Sequence, residues 1–177
     1  LQGAEKRAEF EAAVLPHLDA AYNLARWVVR DEHEAEDVVQ EAYLRAFRFF
    51  GGFRGGDSRG WLLTIVRNVS YTWLRKRRPD ELNLSLDEEI HGREAGAPDP
   101  EGEVLRQAEG RSVKQALETL PLELREVIVL RELEGLSYAE IASVAEIPLG
   151  TVMSRLSRAR TRLRDLLGSR LGREVVQ

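Results

Sequence analysis

Residues 136–167 read LSYAEIASVAEIPLGTVMSRLSRARTRLRDLL, and their spacing decides the fold. Ser137 and Glu140 stand three apart, as in a capping box, so a helix is expected to start at Tyr138. Leu136 before the cap and Ile141 after it have the spacing of a hydrophobic staple. This short helix is expected to end near Ala145. Glu146, Ile147 and Pro148 then make a tight turn, and Pro148 suits the start of a second helix. Val152, Leu156, Ala159 and Leu163 recur by four, three and four, which buries one face of that helix. The opposite face is expected to carry Thr151, Ser154, Arg155, Ser157, Arg158 and Arg162. A short helix, a sharp turn and a longer basic helix make a helix-turn-helix, whose second helix fits the DNA major groove. Arginine reads guanine edges or grips phosphate, and hydroxyls bond to either. The plainer reading is a helical hairpin with a solvated charged face. Against it, these cations cluster on one helix of a chain whose net charge is −4.

The charge distribution extends this reading outward. Residues 54–78 hold seven bases and one acid, and residues 150–173 hold the same numbers. Between them, residues 80–109 hold ten acids and two bases. Two basic segments flanking an acidic one predict two separate contacts with nucleic acid. Gly92, Gly96, Gly102, Pro98 and Pro100 in the acidic stretch predict a mobile linker over 80–108, with helix resuming near Val104. Residues 111–134 should form two helices broken at Pro121. Leu117, Leu120, Leu124, Val127, Ile128 and Leu130 give them an apolar face that supports the helix-turn-helix.

The N-terminal half is also helical by periodicity. Phe10, Val14, Leu18, Tyr22, Ala25 and Trp27 form a rough stripe over residues 5–29, with Pro16 as a kink or break. His17 and His33 stand isolated and read as surface or cap residues. Asp31 suits the cap of a helix through VVQEAYLRAFRFF, whose start is rich in acids. Val38, Ala42, Arg45 or Ala46, and Phe49 form one stripe, and Val39, Tyr43 and Phe47 another. Either one stripe is core and the surface with Gln40, Glu41, Leu44 and Arg45 meets a partner, or the helix is buried on two sides. Residues 51–60, GGFRGGDSRG, are half glycine and read as a loop. An aromatic and two arginines on such a loop suit single-stranded DNA, which needs a stacking surface and positive charge. Residues 61–78 then form a helix with Leu62, Ile65, Val66, Val69 and Trp73 buried, ending in a cationic run at Pro79.

Several classes are excluded or disfavoured. The chain has no Cys, so neither a disulfide framework nor a thiolate metal site is available. The two N-terminal histidines lack metal-ligand spacing. No apolar run reaches the ~18 residues of a membrane span, and the first residues lack a signal-peptide core. A cytoplasmic address is therefore expected. The chain opens on Leu1 rather than Met, so a natural start is expected upstream. No Ser-His-Asp, paired-carboxylate or metal constellation has usable spacing, so no catalysis and no cofactor are expected.

Taken together, LPLELREVIVLRELEGLSYAEIASVAEIPLGTVMSRLSRAR resembles the fourth region of extracytoplasmic-function sigma factors. DVVQEAYLRAF and FRGGDSRGWLLTIVRNVSYTWLRKRR resemble parts of their second region. The resemblance implies an all-α chain of two small helical domains. Region 2 would span 1–79, a flexible acidic linker 80–108, and region 4 with its helix-turn-helix 109–177. It implies a subunit that joins bacterial RNA polymerase core, at the β′ clamp and the β flap, and directs promoter-specific initiation. An anti-sigma protein and a stress or envelope signal are also implied. Asp37, Gln40, Glu41, Leu44 and Arg45 match the clamp-docking helix. Phe53, Arg54, Asp57, Ser58, Arg59, Trp61, Arg67, Asn68, Arg75 and Lys76 match positions at minus-ten DNA. Thr151, Ser154, Arg155, Arg158 and Arg162 match the helix that reads the minus-thirty-five element. Two departures stand out: Thr72 where many members carry Asp, and Met153 where many carry Lys. Losing that cation is expected to weaken one phosphate or base contact. The competing reading is a stand-alone helix-turn-helix regulator, which would have no use for the N-terminal half.

Overall fold

The computed structural model describes residues 2–83 and 110–174. The chain forms two compact units, residues 1–79 with 143–146 and residues 80–142 with 147–177. All regular structure among the described residues is helical.

The first unit contains α1 (Gln2–Val14), α2 (Leu18–Val29), α3 (Glu32–Phe49) and α4 (Ser58–Arg77). A 3-10 turn over Leu15–His17 separates α1 from α2. Pro16 lies within it, which is the break expected there, because proline cannot donate to the preceding turn. Asp31 caps α3 by accepting the Glu34 N–H at 2.9 Å. That bond holds the Asp31 carboxyl below the usual carboxylate range. Ala35, Val38, Ala42 and Ala46 are the buried side of α3, and their small side chains let α2 and α4 pack closely against it.

Two stripes differ in phase from the periodicity reading. In α2 the buried residues are Ala21, Leu24, Ala25, Val28 and Val29, while Tyr22 and Trp27 are half-buried. In α4 they are Leu62, Leu63, Val66, Val69, Ser70 and Leu74, while Ile65 and Trp73 are half-buried. Ser70 tolerates full burial because its hydroxyl donates to the Val66 carbonyl at 2.8 Å. Phe49, placed in the α3 stripe from sequence, is 65% exposed.

α4 also starts earlier than expected, at Ser58 rather than Trp61. The cause is Asp57, whose carboxylate accepts the Gly60 N–H at 2.9 Å and caps the helix. A Cβ on Gly60 would collide with that carboxylate, so glycine permits the cap instead of breaking the helix. Arg78 lies outside helix, and a helical turn resumes over residues 79–83 with Pro79 first, as proline's fixed φ allows. The linker expected over 80–108 falls, beyond that turn, outside the described residues.

The second unit contains α5 (Gly110–Thr119), α6 (Leu122–Ile128), most of α7 (Tyr138–Ala145) and α8 (Leu149–Glu174). α6 continues into a π-helical turn over Val129–Leu133. Gly135, with φ 68°, closes that end by turning the chain so that the Leu136 N–H reaches the Leu130 carbonyl at 3.0 Å. Leu117, Leu120, Leu124, Val127, Ile128 and Leu130 are buried as their spacing predicts. So are Val152, Leu156, Ala159 and Leu163 of α8.

The capping box forms in both directions. Ser137 N–H donates to Glu140 Oε2 at 2.6 Å, and Glu140 N–H donates to Ser137 Oγ at 3.2 Å. Ser137→Ala is expected to cost the second unit about 1 kcal/mol. Thermal unfolding followed by circular dichroism measures it, with Glu140→Gln as the variant that keeps the reciprocal acceptor. An unchanged transition in Ser137→Ala would show that the cap contributes nothing.

Candidate nucleic-acid and partner interfaces

Unit one presents a groove between α3 and α4 of about 520 Å³. Asp37, Gln40, Glu41, Leu44 and Arg45 line its α3 side. Val69, Thr72, Trp73, Lys76 and Arg77 line its α4 side. Leu44 is 54% exposed, an apolar side chain held in water among charges. Arg45 Nε pairs with Glu41 Oε1 at 2.8 Å, one helical turn away. The Arg77 guanidinium lies 3.6 Å from the centroid of the Trp73 ring, a close cation–π contact. Trp73 Nε1 is buried without a hydrogen-bond partner.

The α4 wall of this groove was not legible as a wall. Trp73 reads as core from its hydrophobicity. It marks instead the edge of a second α4 face, where Val69, Thr72, Trp73 and Lys76 follow one another by three, one and three. Lys76, assigned with the DNA contacts, stands in this wall, while Arg75 beside it is exposed. Thr72, one of the two departures, also lines the groove, and its hydroxyl donates to the Asn68 carbonyl at 2.9 Å.

The other candidate residues of this unit gather around an aromatic cluster. Phe53 is half-buried and stacks on Phe50 at 5.8 Å between ring centroids, and Trp61 lies 4.9 Å from Phe53 and 6.1 Å from Phe50, so the three rings form one triangle. Phe53 is therefore held by ring neighbours rather than free on a loop. Gly55 and Gly56, with φ 82° and 90°, supply the left-handed backbone that carries the chain from Phe53 to the Asp57 cap. Arg54 is exposed and Arg59 half-buried. Asp57 serves as the cap of α4, and Ser58 Oγ hydrogen-bonds His17 Nε2 at 3.2 Å. His17 is thus not isolated: it ties the α1–α2 turn to the start of α4, a pairing across 41 residues that no local spacing signals. Arg67 lies over the Tyr71 ring at 4.2 Å, and Asn68 is exposed. Of the terminal cations, Arg78 donates to the Val29 carbonyl at 2.6 Å and pairs with Glu34, so it belongs to the fold.

In the second unit α8 carries the remaining candidates. Ser154 and Arg162 are exposed, and Thr151 and Arg158 are half-buried. Arg155 is a correction: it is 7% exposed and does not project from the face opposite the core. At roughly 100° per residue, position 155 lies only about 60° from Val152, on the side of Ala159. It therefore borders the apolar stripe. Arg160 borders the other edge and is 6% exposed. Its guanidinium pairs with Glu132 at 3.1 Å and reaches the Tyr138 hydroxyl at 3.5 Å. Burial by itself lowers its basicity, but the bonds to Tyr138 and Glu132 outweigh that and hold it above its ordinary value. Arg160 thereby joins α8 to α7 and to the π turn, fixing the pose of the longer helix. The tight turn between them holds Glu146 at φ 56°, with the Ile147 N–H donating to the Ala142 carbonyl at 3.1 Å.

Among the described residues no group of three or more His, Cys, Asp or Glu is placed to hold a metal ion. No helix among them is long and apolar enough to cross a membrane.

Residues 13–79 match the model of sigma-70 region 2, and residues 110–163 match that of sigma-70 region 4. The chain is 36% identical over 158 residues to the ECF RNA polymerase sigma factor SigE of Mycolicibacterium smegmatis, covering 89% of this chain and 61% of that protein. It thus spans about three fifths of that relative's length. It is 39% identical over 167 residues to the RNA polymerase sigma-H factor of Pseudomonas aeruginosa, covering 90% of this chain and 86% of that one. Among solved structures it is similar to the sigma factor RpoE of Bartonella quintana, crystallised with the anti-sigma factor NepR. That match has a TM-score of 0.69 and 32% identity, over 90% of this chain and 97% of the other. CnrH, in complex with the cytosolic domain of CnrY, matches with a TM-score of 0.64 and 28% identity, over 92% and 90% of the two chains. On the two region matches and the identity to its relatives, this chain belongs to the sigma-70 family, among the extracytoplasmic-function sigma factors.

Proposed function

We propose that this protein joins bacterial RNA polymerase core in the cytoplasm and directs it to a particular set of promoters, under the control of an anti-sigma protein. The observation that carries the reading is the α3–α4 groove. All five α3 residues expected to dock on the clamp line it together, with exposed Leu44 among charged neighbours. A stand-alone helix-turn-helix regulator has no need of such a surface. The role of the chain is binding, and polymerase supplies the chemistry. In this scheme residues 1–79 engage the β′ clamp and minus-ten DNA, residues 80–108 connect, and residues 109–177 engage the β flap and the minus-thirty-five element. α8 anchors on duplex DNA through Thr151, Ser154, Arg158 and Arg162. The Phe50–Phe53–Trp61 surface, with Arg54 beside it, then holds an extruded base and offsets a few kcal/mol of unstacking.

The test is a pull-down of core polymerase by the full chain, followed by run-off transcription with the assembled holoenzyme. Capture of core with promoter-dependent transcripts is expected. DNA binding without core capture would favour the stand-alone regulator.

Arg162 and Arg158 stand on the outward flank of α8 and are assigned phosphate contacts. Arg162→Ala is expected to weaken matched and mismatched minus-thirty-five duplexes alike. It should also flatten the plot of log affinity against log salt by about 0.9. A salt series on holoenzyme measures this. A changed ratio between the two duplexes at constant slope would give Arg162 a base contact instead.

A further inference from the structure

We infer that Met153 reads the C5-methyl group of a thymine in the minus-thirty-five duplex, so that this protein selects one A·T pair by an apolar contact. The inference rests on the reading of α8 as the helix that enters the major groove. Met153 is the single methionine of the sequence, and it is 54% exposed rather than packed in the core. Leu149, one turn earlier on the same side of α8, is 50% exposed. An unbranched thioether and an isobutyl group thus stand on one side of α8 with half or more of each in water.

Their place on the helix points to the occupant. With Val152 facing the core, roughly 100° per residue puts Gly150 and Ser154, both exposed, at the centre of the outward face in the first turns. Both are small, and a Cβ added at Gly150 would meet nothing within 4 Å. The backbone is therefore free to approach a groove floor closely along that line. Met153 lies on one edge of the line and Arg158 on the other. Of the side chains on the outward face of the first two turns, Met153 is the long one that is more than half exposed and carries no charge. A cation at position 153 would seek guanine edges or phosphate. A thioether can do neither, because it donates no hydrogen bond and accepts only weakly. In the major groove, the base-edge feature that an apolar chain recognises is the thymine methyl.

The test uses holoenzyme and promoter duplexes drawn by selection from a random pool. Each thymine in the minus-thirty-five element is then replaced by deoxyuridine, which removes only the methyl group. At one position affinity is expected to fall about 3–10-fold. In Met153→Ala holoenzyme the thymine-to-uracil ratio at that position should fall to about one, and in Met153→Leu it should be kept. Loss of the methyl alone, without any change of backbone charge, is a readout that a merely structural role for Met153 would not move. Sequence-selective binding with no sensitivity to uracil at any position would overturn the inference while leaving the reading of α8 intact. An unchanged thymine-to-uracil ratio in Met153→Ala would do the same. Absence of sequence-selective duplex binding would remove both.

Discussion

Phe10→Ala is expected to destabilise the first unit by about 3–5 kcal/mol. The Phe10 ring is completely buried, and it meets the rings of Tyr43, Phe47 and Phe50 edge-on at 5.0, 5.1 and 5.4 Å between centroids. Edge-to-face pairs contribute about 0.5–1.5 kcal/mol each beyond their buried area. The three rings around Phe10 are rigid and can close the hole left by its ring only by shifting as whole units. Against a total of ~5–15 kcal/mol for a typical domain, this loss is large. The measurement is clean because Trp27, Trp61 and Trp73, the three tryptophans of the sequence, all lie in this unit. Urea unfolding followed by tryptophan fluorescence thus reports on it selectively. The functional effect should follow, because Phe50 links Phe10 to Phe53 and Trp61. A loss below ~1 kcal/mol would show that the cluster repacks around the void.

Replacing Gln40 and Leu44 together by alanine is expected to weaken core polymerase binding about 10–100-fold, or ~1.4–2.8 kcal/mol. Both side chains are exposed and line the groove, so the folded unit should keep its urea midpoint within the scatter of surface substitutions. Arg48→Ala, on the same helix but outside the groove, is the matched control. Competition binding with labelled chain and core polymerase separates the three proteins. Equal affinity in the double variant and the wild type would remove this groove from the polymerase interface.

Where local chemistry decides structure, the sequence was readable. Asp31 and the Ser137–Glu140 pair are caps whose partners lie three residues away, and both form as their spacing requires. The apolar face of α8 was equally legible, because four positions repeat without interruption. Arg155 is buried despite its charge. Its spacing of three from Val152 and four from Ala159 puts it beside the core whatever its charge. Trp73 shows the opposite: a large aromatic that is only half-buried, at the groove wall. The start of α4 was hidden because a glycine-rich stretch reads as loop, whereas Gly60 is the residue that lets Asp57 cap the helix. The His17–Ser58 and Arg160–Glu132 pairs join residues far apart in the chain, and periodicity carries no information about them.

The Arg78 clasp has a mechanical meaning. The chain leaves the first unit at the end of α4, through Arg78 and Pro79. Without the clasp, a pull along the chain would peel α4 from its end one hydrogen bond at a time, which is loading in series and needs little force. Arg78 instead bonds the Val29 carbonyl at the end of α2 and the Glu34 carboxylate at the start of α3. Tension arriving at residue 79 is thereby shared across two anchor points and passed to the α2–α3 corner. Both anchors must yield together before α4 can unwind. A tether fixed in this way lets one unit be tugged while the groove and the aromatic surface of the other keep their shape.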